Sequence, residues 1–320
     1  MTATVLLTDY AWPDLAIERE IMERNKLRLV VGPAIAAPVS EIDLLIRRHQ
    51  PAAIMTCWAQ VSKQAIESAS GLKVIARLGV GLDNIAVQAA TSHGAWVTNV
   101  PDYCLEEVSD HAVSMALAWA RGLVKFDRRV RLGLMDPAAA RLKRMSSLTC
   151  GIVGFGHIGK VTARKLSAFG CRVLVHTRTP DPQDGTVIFT DMVSIFANSD
   201  IVILHLPYAR ATHHLIDAQA LSQFRPGALL INVSRGSLVD SEALTAALDS
   251  GKLAAAALDV WEGEPSIPEA WSSHPDLVLT PHIAFSSDVS IAELRRRASE
   301  EVVRVLAGQR PLQPCNEISL

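Results

Sequence analysis

A glycine-rich run with the pattern GxGxxG limits the possible folds of this chain more than any other feature of its sequence. The run spans residues 154–159, directly after the apolar segment 150–153 and before a stretch with the apolar period of a helix. In a strand-turn-helix unit, Gly154 can make the tight turn, Gly156 can admit a pyrophosphate close to the backbone, and Gly159 can let the helix approach the strand. The run therefore predicts a dinucleotide-binding unit. A purely structural turn between a strand and a helix is the alternative.

The helix predicted after this run supplies the other half of the site. Its N-terminus carries backbone N–H groups without intrahelical partners and a partial positive charge, and both favour the phosphates of a dinucleotide. Ile158 opens this helix and His157 directly precedes it. We therefore expect both residues, together with the three glycines, to contact the cofactor.

The residues after the second predicted strand bear on the choice of cofactor. In NAD-binding units this strand ends in an acidic residue that holds the ribose 2′-hydroxyl, whereas residues 172–176 are followed here by Thr177 and Arg178. Thr177 removes a carboxylate that would repel a 2′-phosphate, and Arg178 can form charge-assisted hydrogen bonds to one. We predict NADP as the preferred cofactor, with NAD as the other. If Arg178 is a solvated loop residue instead, either cofactor binds.

Apolar runs rich in branched residues alternate with amphipathic stretches along the whole chain, which is the pattern of strand-helix-strand units around parallel sheets. The chain has 320 residues, 49% of them hydrophobic, enough for two domains with filled cores. We predict an α/β protein with two doubly wound parallel sheets. Strands are predicted at residues 5–7, 53–57, 74–78, 96–100, 150–155, 172–176, 201–206, 228–233, 254–259 and 277–280. Helices are predicted at residues 106–121, 158–169, 242–249 and 293–305.

Charge and cysteine content narrow the class of function. A formal net charge of only −2 gives no strong field toward nucleic acid or an anionic membrane, which favours a small-molecule ligand. No apolar run approaches the roughly 20 residues of a membrane span, and the first residues do not resemble a secretion leader, so we expect a cytoplasmic protein. The five cysteines form no CxxC pair and no cluster with histidine at metal-site spacing. We expect reduced thiols and no metal.

Three later segments each place one ionisable residue near the end of a predicted strand. Arg235 follows residues 228–233, Glu264 follows residues 254–259, and His282 follows residues 277–280. Each residue alone has a structural explanation, as a surface ion pair, a loop charge and a hydrogen-bonded imidazole respectively. Ligands of open α/β sheets bind beyond the carboxyl ends of the strands, so the ordered set indicates an active site.

These features together resemble the D-isomer-specific 2-hydroxyacid dehydrogenases, a family that includes glyoxylate/hydroxypyruvate reductases, phosphoglycerate dehydrogenases and C-terminal-binding proteins. The similarity covers nearly the whole chain. It is carried by Gly79-Val80-Gly81-Leu82-Asp83-Asn84, Asn99-Val100-Pro101, the GxGxxG run, Leu204-His205-Leu206-Pro207 and the three charged segments. The resemblance implies a flavodoxin-like substrate domain of residues 1–99 and 286–320, a Rossmann cofactor domain of residues 100–285, a cleft between them, and a homodimer.

The chemistry of 2-oxoacid reduction matches the three ionisable residues. Arg235 can hold the substrate carboxylate and the carbonyl oxygen with its planar guanidinium. His282 can protonate the carbonyl oxygen, because histidine changes charge near neutrality, and a neighbouring Glu264 carboxylate favours the imidazolium form. We predict an NAD(P)-dependent oxidoreductase that interconverts a 2-oxoacid and a D-2-hydroxyacid, with His282 as general acid and base.

The resemblance also implies further contacts. The backbone N–H groups of Val80 and Gly81 are expected to grip the substrate carboxylate, with a structural turn as the alternative. The residues expected near the cofactor are Pro207, Thr212, Val233, Ser234 and Asp259, the last beside the nicotinamide carboxamide.

Other activities on the same fold are less compatible with these residues, although one alternative stays open. Formate dehydrogenases carry glutamine at the position of Glu264, and phosphite dehydrogenases carry lysine at that of Val80. Ala284 and Phe285 occupy positions where many relatives carry glycines, which leaves the substrate side chain undetermined. A non-enzymatic dinucleotide-sensing scaffold, similar to the C-terminal-binding proteins, is the alternative function.

Overall fold

A computed structural model describes residues 2–181 and 185–318 of the chain. The strands are β1 (Thr4–Leu7), β2 (Arg28–Val31), β3 (Ala53–Thr56), β4 (Val74–Arg77), β5 (Trp96–Thr98), β6 (Thr149–Val153), β7 (Arg172–His176), β8 (Ile188–Phe189), β9 (Ile201–Leu204), β10 (Ala228–Asn232), β11 (Leu253–Leu258) and β12 (Leu277–Leu279). The α-helices are α1 (Ala16–Arg24), α2 (Val39–His49), α3 (Lys63–Ser68), α4 (Val87–His93), α5 (Leu105–Ala120), α6 (Leu123–Arg131), α7 (His157–Ala168), α8 (Met192–Asn198), α9 (Ala218–Gln223), α10 (Ser241–Asp249) and α11 (Asp288–Leu306). In the described part of the chain, no helix combines the length and the apolar character needed to cross a membrane.

The chain divides into two compact units. One, here called the two-segment unit, is formed by Met1–Tyr103 and Ser287–Leu320. The other, the central unit, is Cys104–Ser286. Each unit has its own parallel sheet, so the predicted α/β class with two doubly wound sheets is confirmed.

The two-segment unit has a sheet in the order β2-β1-β3-β4-β5, with every pair parallel. This is the order of flavodoxin-like folds. β3 and β4 are buried along their whole length, because helices cover both faces of a parallel sheet. α11 packs against α1, β3 and β4, and the buried Arg295 of α11 binds the buried Glu18 of α1 at 2.8 Å. This ion pair fixes the C-terminal segment to the N-terminal one.

The central unit has a sheet in the order β12-β11-β10-β9-β6-β7-β8, again parallel throughout. The strand order reverses between β6 and β9, which are paired with Cys150 opposite Ile201. In open α/β sheets the crevice at such a reversal is where ligands bind. The GxGxxG run follows β6 directly, and it therefore lies at this point.

Two edge strands were not predicted from the sequence. β2 keeps an exposed Arg28 and is nowhere fully buried, and β8 has two residues. An edge strand pairs on one side only and needs less apolar sequence, so its pattern is weak. The central strands, which are buried on both faces, were all predicted at nearly their observed positions.

Candidate active site

The turn between β6 and α7 requires glycine at two of the three glycine positions of the GxGxxG run. Gly154 has a φ of +101°, and a Cβ there would overlap the carbonyl group of His205. A Cβ on Gly159 would overlap the carbonyl oxygen of Gly154. Both observations match the roles expected for a tight turn and for close helix–strand packing.

Gly156 has a different environment. It is the N-cap of α7 and no side chain caps this helix, while a Cβ at Gly156 would meet no atom within 4 Å. Open space therefore lies in front of uncapped N–H groups, beside His157 and Ile158. These features fit the pyrophosphate of a dinucleotide, since a helix N-terminus without its own cap offers donors and partial positive charge.

The end of β7 has no acidic residue in positions 177–180. Thr177 is half-buried and Arg178 is exposed. The Thr177 hydroxyl accepts a hydrogen bond from the backbone N–H of Thr179 at 3.4 Å. The Arg178 side chain is therefore exposed at this edge of the sheet.

The loop after β9 is held by its own side chains. Thr212 donates its hydroxyl to the carbonyl of Pro207 at 3.0 Å and accepts the N–H of Ala209 at 2.8 Å. His205 lies 2.9 Å from the Thr162 hydroxyl on α7, and desolvation by its surroundings lowers the pKa of His205 to about 4. His205 is therefore neutral at pH 7 and joins the end of β9 to α7.

The turn after β10 presents Arg235. The side-chain amide of Asn232 donates to the carbonyl of Arg235 at 2.9 Å, and its oxygen accepts the N–H of Ser234 at 3.0 Å. Ser234 donates its hydroxyl to Leu204 at 2.6 Å, which ties this turn to the end of β9, and Val233 is buried. The half-buried Arg235 donates from Nη1 to the carbonyl of Ser234 at 2.8 Å.

The turn that carries Arg235 also packs tightly on the loop after β11. A Cβ on Gly236 would overlap the backbone of Trp261 and Glu262, so only glycine permits this approach. The Trp261 N–H donates to Oε1 of Glu264 at 2.9 Å. The arginine turn and the glutamate loop are thereby held side by side.

His282 and Glu264 form a hydrogen-bonded pair. Nδ1 of His282 lies 2.9 Å from Oε2 of Glu264. The side chains are 30% and 28% exposed, which leaves the pair accessible to a ligand. Since one ring nitrogen is oriented by a carboxylate, the other is directed away from it, as acid–base catalysis requires.

The backbone of His282 has an uncommon conformation. Its φ is +54°, a left-handed value that is rare for residues other than glycine and is concentrated at functional sites. The N–H of His282 donates to the carbonyl of Asp259 at 2.9 Å. The ring of Phe285 meets the imidazole edge-on, with centroids 6.2 Å apart, so Phe285 forms an apolar wall beside His282.

Asp259 anchors the segment that contains His282. Its buried carboxylate accepts hydrogen bonds from the Thr280 hydroxyl at 2.6 Å, from the N–H of Ile283 at 2.9 Å and from that of Ala284 at 2.9 Å. His111 on α5 lies 2.9 Å from the Thr280 hydroxyl. The sequence reasoning missed His111, because nothing in its surrounding helix pattern distinguishes it from other polar positions.

Val80 and Gly81 lie in the two-segment unit, in the loop after β4. The carbonyl of Val80 accepts from the Asn99 side chain at 2.7 Å, and that of Gly81 accepts from Nε of Arg77 at 3.0 Å. Arg77 also donates to the carbonyl of Leu78. The carbonyls are thus turned toward the protein's own donors, which orients the loop. Arg77, a buried cation at the end of a strand, was not singled out from the sequence.

Comparison with known proteins identifies the family. A sequence model of the D-isomer specific 2-hydroxyacid dehydrogenase NAD binding domain matches residues 113–284. The chain is 32% identical over 293 residues to the hydroxypyruvate reductase of Thermotoga maritima, which covers 91% of this chain and 89% of that one. It is 33% identical to the glyoxylate reductase of Thermococcus litoralis, over 86% of each chain.

The fold comparison agrees. The crystal structure of the D-lactate dehydrogenase from Aquifex aeolicus, complexed with NAD and lactic acid, matches with a TM-score of 0.85 at 26% identity, covering 95% of this chain and 96% of that one. The chain therefore belongs to the D-isomer specific 2-hydroxyacid dehydrogenases. It is an NAD-binding oxidoreductase that interconverts 2-oxoacids and 2-hydroxyacids, as its sequence predicted. The scaffold alternative finds no support among these relatives.

Proposed function

We propose that the chain reduces a small 2-oxoacid to the D-2-hydroxyacid, with Arg235, Glu264 and His282 as the residues that act on the substrate. The 2.9 Å pair of His282 and Glu264 carries this proposal, since it lies at the carboxyl edge of the central sheet beside the Arg235 turn. Hydroxypyruvate and glyoxylate are the first substrates to consider, because relatives of similar length bear those names.

Arg235, Glu264 and His282 have different roles in the proposed reduction. A bound nicotinamide cofactor supplies the hydride that reduces the carbonyl carbon. Arg235 binds the substrate carboxylate and polarises the carbonyl through its planar fork of N–H donors. His282 donates its proton to the carbonyl oxygen, and the Glu264 carboxylate orients the ring through its hydrogen bond to Nδ1. In the oxidative direction the neutral ring of His282 accepts the proton of the substrate hydroxyl.

The two units take different parts in this proposal. We assign the cofactor to the central unit, where the uncapped α7 N-terminus and the loops after β7, β9, β10 and β11 share one edge. We assign substrate recognition to the two-segment unit, through the N–H groups of Val80 and Gly81, whose carbonyls already have donors.

A panel of 2-oxoacids tests the function. Purified protein is incubated with NADPH or NADH and with glyoxylate, hydroxypyruvate, pyruvate or larger 2-oxoacids, and loss of reduced cofactor is followed together with the configuration of the product. We expect turnover of at least one small 2-oxoacid to the D product. Absence of turnover throughout the panel would favour the scaffold function, and an L product would contradict the assignment.

We propose further that NADP is preferred over NAD. Support comes from the missing carboxylate after β7 and from the exposed Arg178 at that position. A 2′-phosphate bound by Arg178 gains a charge-assisted hydrogen bond, whereas a 2′-hydroxyl gains much less.

Replacing Arg178 by alanine is expected to lower kcat/KM with NADPH by about 10- to 100-fold, the equivalent of one hydrogen bond to a charged group, with little change for NADH. Arg172→Ala is the matched control, because Arg172 is an exposed arginine at the opposite end of β7. A wild-type enzyme that strongly prefers NADH, or an Arg178→Ala variant with unchanged NADPH kinetics, would contradict the proposed preference.

A homodimer through the α5–α6 region is our proposal for the assembly. These helices border a cavity of about 490 Å³ lined by residues that include Met115, Trp119 and Phe126. Just beyond α6, Leu132 and Met135 are 75% and 82% exposed. A cavity beside exposed large apolar side chains fits the surface of an interface between copies.

Sedimentation velocity should therefore give the mass of two chains for the wild type, and a shift toward one chain for the double variant Leu132→Asp/Met135→Asp. Ile35→Asp serves as the control, because Ile35 is 83% exposed in the two-segment unit. Dissociation by the control variant, or a monomeric wild type, would count against this interface.

The cysteines support a reducing compartment. None of the five, all of which lie in the described part of the chain, forms a disulfide, and burial raises the pKa of Cys57 to about 12, so this thiol stays protonated and unreactive. Because free buried thiols are typical of reducing compartments, we infer a cytoplasmic location.

A further inference from the structure

A cluster of two histidines and a glutamate lies in the central unit, apart from the His282–Glu264 pair. His213 and His214 belong to the loop after β9, and Glu262 belongs to the loop after β11. Each offers one ligand atom, and these three atoms all lie within 4.8 Å of one another. Nε2 of His214 lies 2.9 Å from Oε2 of Glu262.

The two imidazoles lie side by side because the backbone of His214 adopts an unfavourable conformation. His214 has a φ of +49°, in the left-handed region that is unfavourable for a residue with a Cβ. The two rings stack with centroids 4.0 Å apart and planes 23° from parallel. The backbone N–H of His214 donates to the carbonyl of Ser237 at 2.9 Å, which helps to hold the left-handed conformation of His214. Strained backbone that persists at a cluster of ligand-type side chains points to a functional role.

A second carboxylate, that of Asp240, lies on the side of the His214 ring opposite to Glu262. Nδ1 of His214 lies 4.0 Å from Oδ2 of Asp240, while Oδ1 of Asp240 is fixed by the N–H groups of Glu242 and Ala243 at the start of α10. Metal-bound histidines commonly direct their second ring nitrogen toward a carboxylate, which sets the tautomer and the ring orientation. Here Nε2 of His214 faces Glu262, and Asp240 lies on the Nδ1 side of the ring at 4.0 Å, longer than a direct hydrogen bond.

We propose that His213, His214 and Glu262 bind one divalent transition-metal ion of the Zn²⁺ class. Two imidazoles and one carboxylate suit Zn²⁺, Co²⁺ or Ni²⁺ and are too nitrogen-rich for Mg²⁺ or Ca²⁺. In a tetrahedral zinc site with bonds of about 2.0 Å the ligand atoms are roughly 3.3 Å apart. Glu262 and His214 already approach that spacing, and the exposed His213 ring turns out of its stack on His214 so that its ligand nitrogen points at the same ion.

The metal connects the loop after β9 with the loop after β11. Their ligands His214 and Glu262 are 48 positions apart in the sequence. One of these loops continues to Glu264, two residues beyond Glu262. Bound metal therefore restrains the loop that orients His282. Sequence spacing alone predicted no metal, because the third ligand is remote in the chain and only folding brings it to the histidine pair.

Metal titration tests the site directly. Tag-free, metal-free protein is titrated with Co²⁺, and the visible d–d absorption of a four- or five-coordinate N/O site is followed, after which Zn²⁺ is added as competitor. We expect one equivalent of Co²⁺ to bind and Zn²⁺ to displace it. Because a ligand that binds only the folded state raises Tm, Zn²⁺ should also raise Tm.

Matched variants locate the binding. His213→Gln and Glu262→Gln should each lower the affinity for the metal at least about tenfold, because even the loss of an outer-shell partner does so. Each should also abolish the rise in Tm. His274→Gln is the control, because His274 also faces a carboxylate, Asp249 at 3.7 Å, but belongs to no such cluster among the residues that the structure describes. Equal binding by wild type and His213→Gln would overturn the proposal. So would loss of the Co²⁺ spectrum in His282→Asn with retention in His213→Gln, which would place the ion at the catalytic pair.

Discussion

Asparagine in place of His282 is expected to lower kcat by about 10²- to 10⁴-fold, the usual contribution of a general acid or base, while the Kd for NADPH stays nearly unchanged. The choice of asparagine matters. The backbone φ of +54° at this position is tolerated better by asparagine than by alanine, so the variant removes the ring and keeps the loop. The loss then reports on proton transfer, separately from folding.

Steady-state kinetics with the best 2-oxoacid measure kcat, and cofactor titration by fluorescence measures the Kd for NADPH. Thermal unfolding shows whether the variant is folded. His49→Asn, on α2 of the two-segment unit, is the control and should retain kcat. An unchanged kcat in His282→Asn would remove this residue from the mechanism. A large rise in Kd for NADPH would show instead that the variant damages the cofactor site.

Much of the fold was predictable, because parallel strands buried on both faces read as continuous apolar runs. The segments of β6, β9, β10 and β11 were all recognised in this way. The glycine turn was equally predictable, since Gly154 and Gly159 lie where close contacts leave room only for glycine. The edge strands β2 and β8 were not, because they are short and partly exposed and so carry little pattern.

The site was predictable at the level of strand ends and not at the level of contacts. Arg235, Glu264 and His282 were singled out because ionisable residues follow predicted strands in order, and the structure brings Glu264 within 2.9 Å of His282. The interactions that hold them involve partners far apart in sequence, such as His111 with Thr280 and Ser234 with Leu204. No local period encodes such pairs, since they arise only when the parallel sheet brings successive strand ends to one edge.

The buried Asp259 carboxylate links the end of β11 to the segment that carries His282. Its two oxygens accept three hydrogen bonds, two of them from the N–H groups of Ile283 and Ala284, directly after His282. In Asp259→Asn one amide oxygen replaces two carboxylate oxygens, and the new NH2 group faces a backbone donor. Losing a hydrogen bond to a charged group and leaving a buried donor unpaired together cost about 3 kcal/mol.

We therefore expect Asp259→Asn to reduce the free energy of unfolding of the central unit by about 3 kcal/mol and to lower kcat by about 10- to 100-fold through displacement of His282. Amide hydrogen exchange at Ile283 and Ala284 should accelerate more than exchange elsewhere in the unit. Asp217→Asn is the matched control, since Asp217 accepts the N–H of Ala220 at the start of α9 and asparagine caps a helix about as well as aspartate. If kcat fell while exchange at Ile283 and Ala284 stayed at the wild-type rate, Asp259 would act on the cofactor or substrate directly. If both stayed unchanged, the Asp259 carboxylate would not be what positions His282.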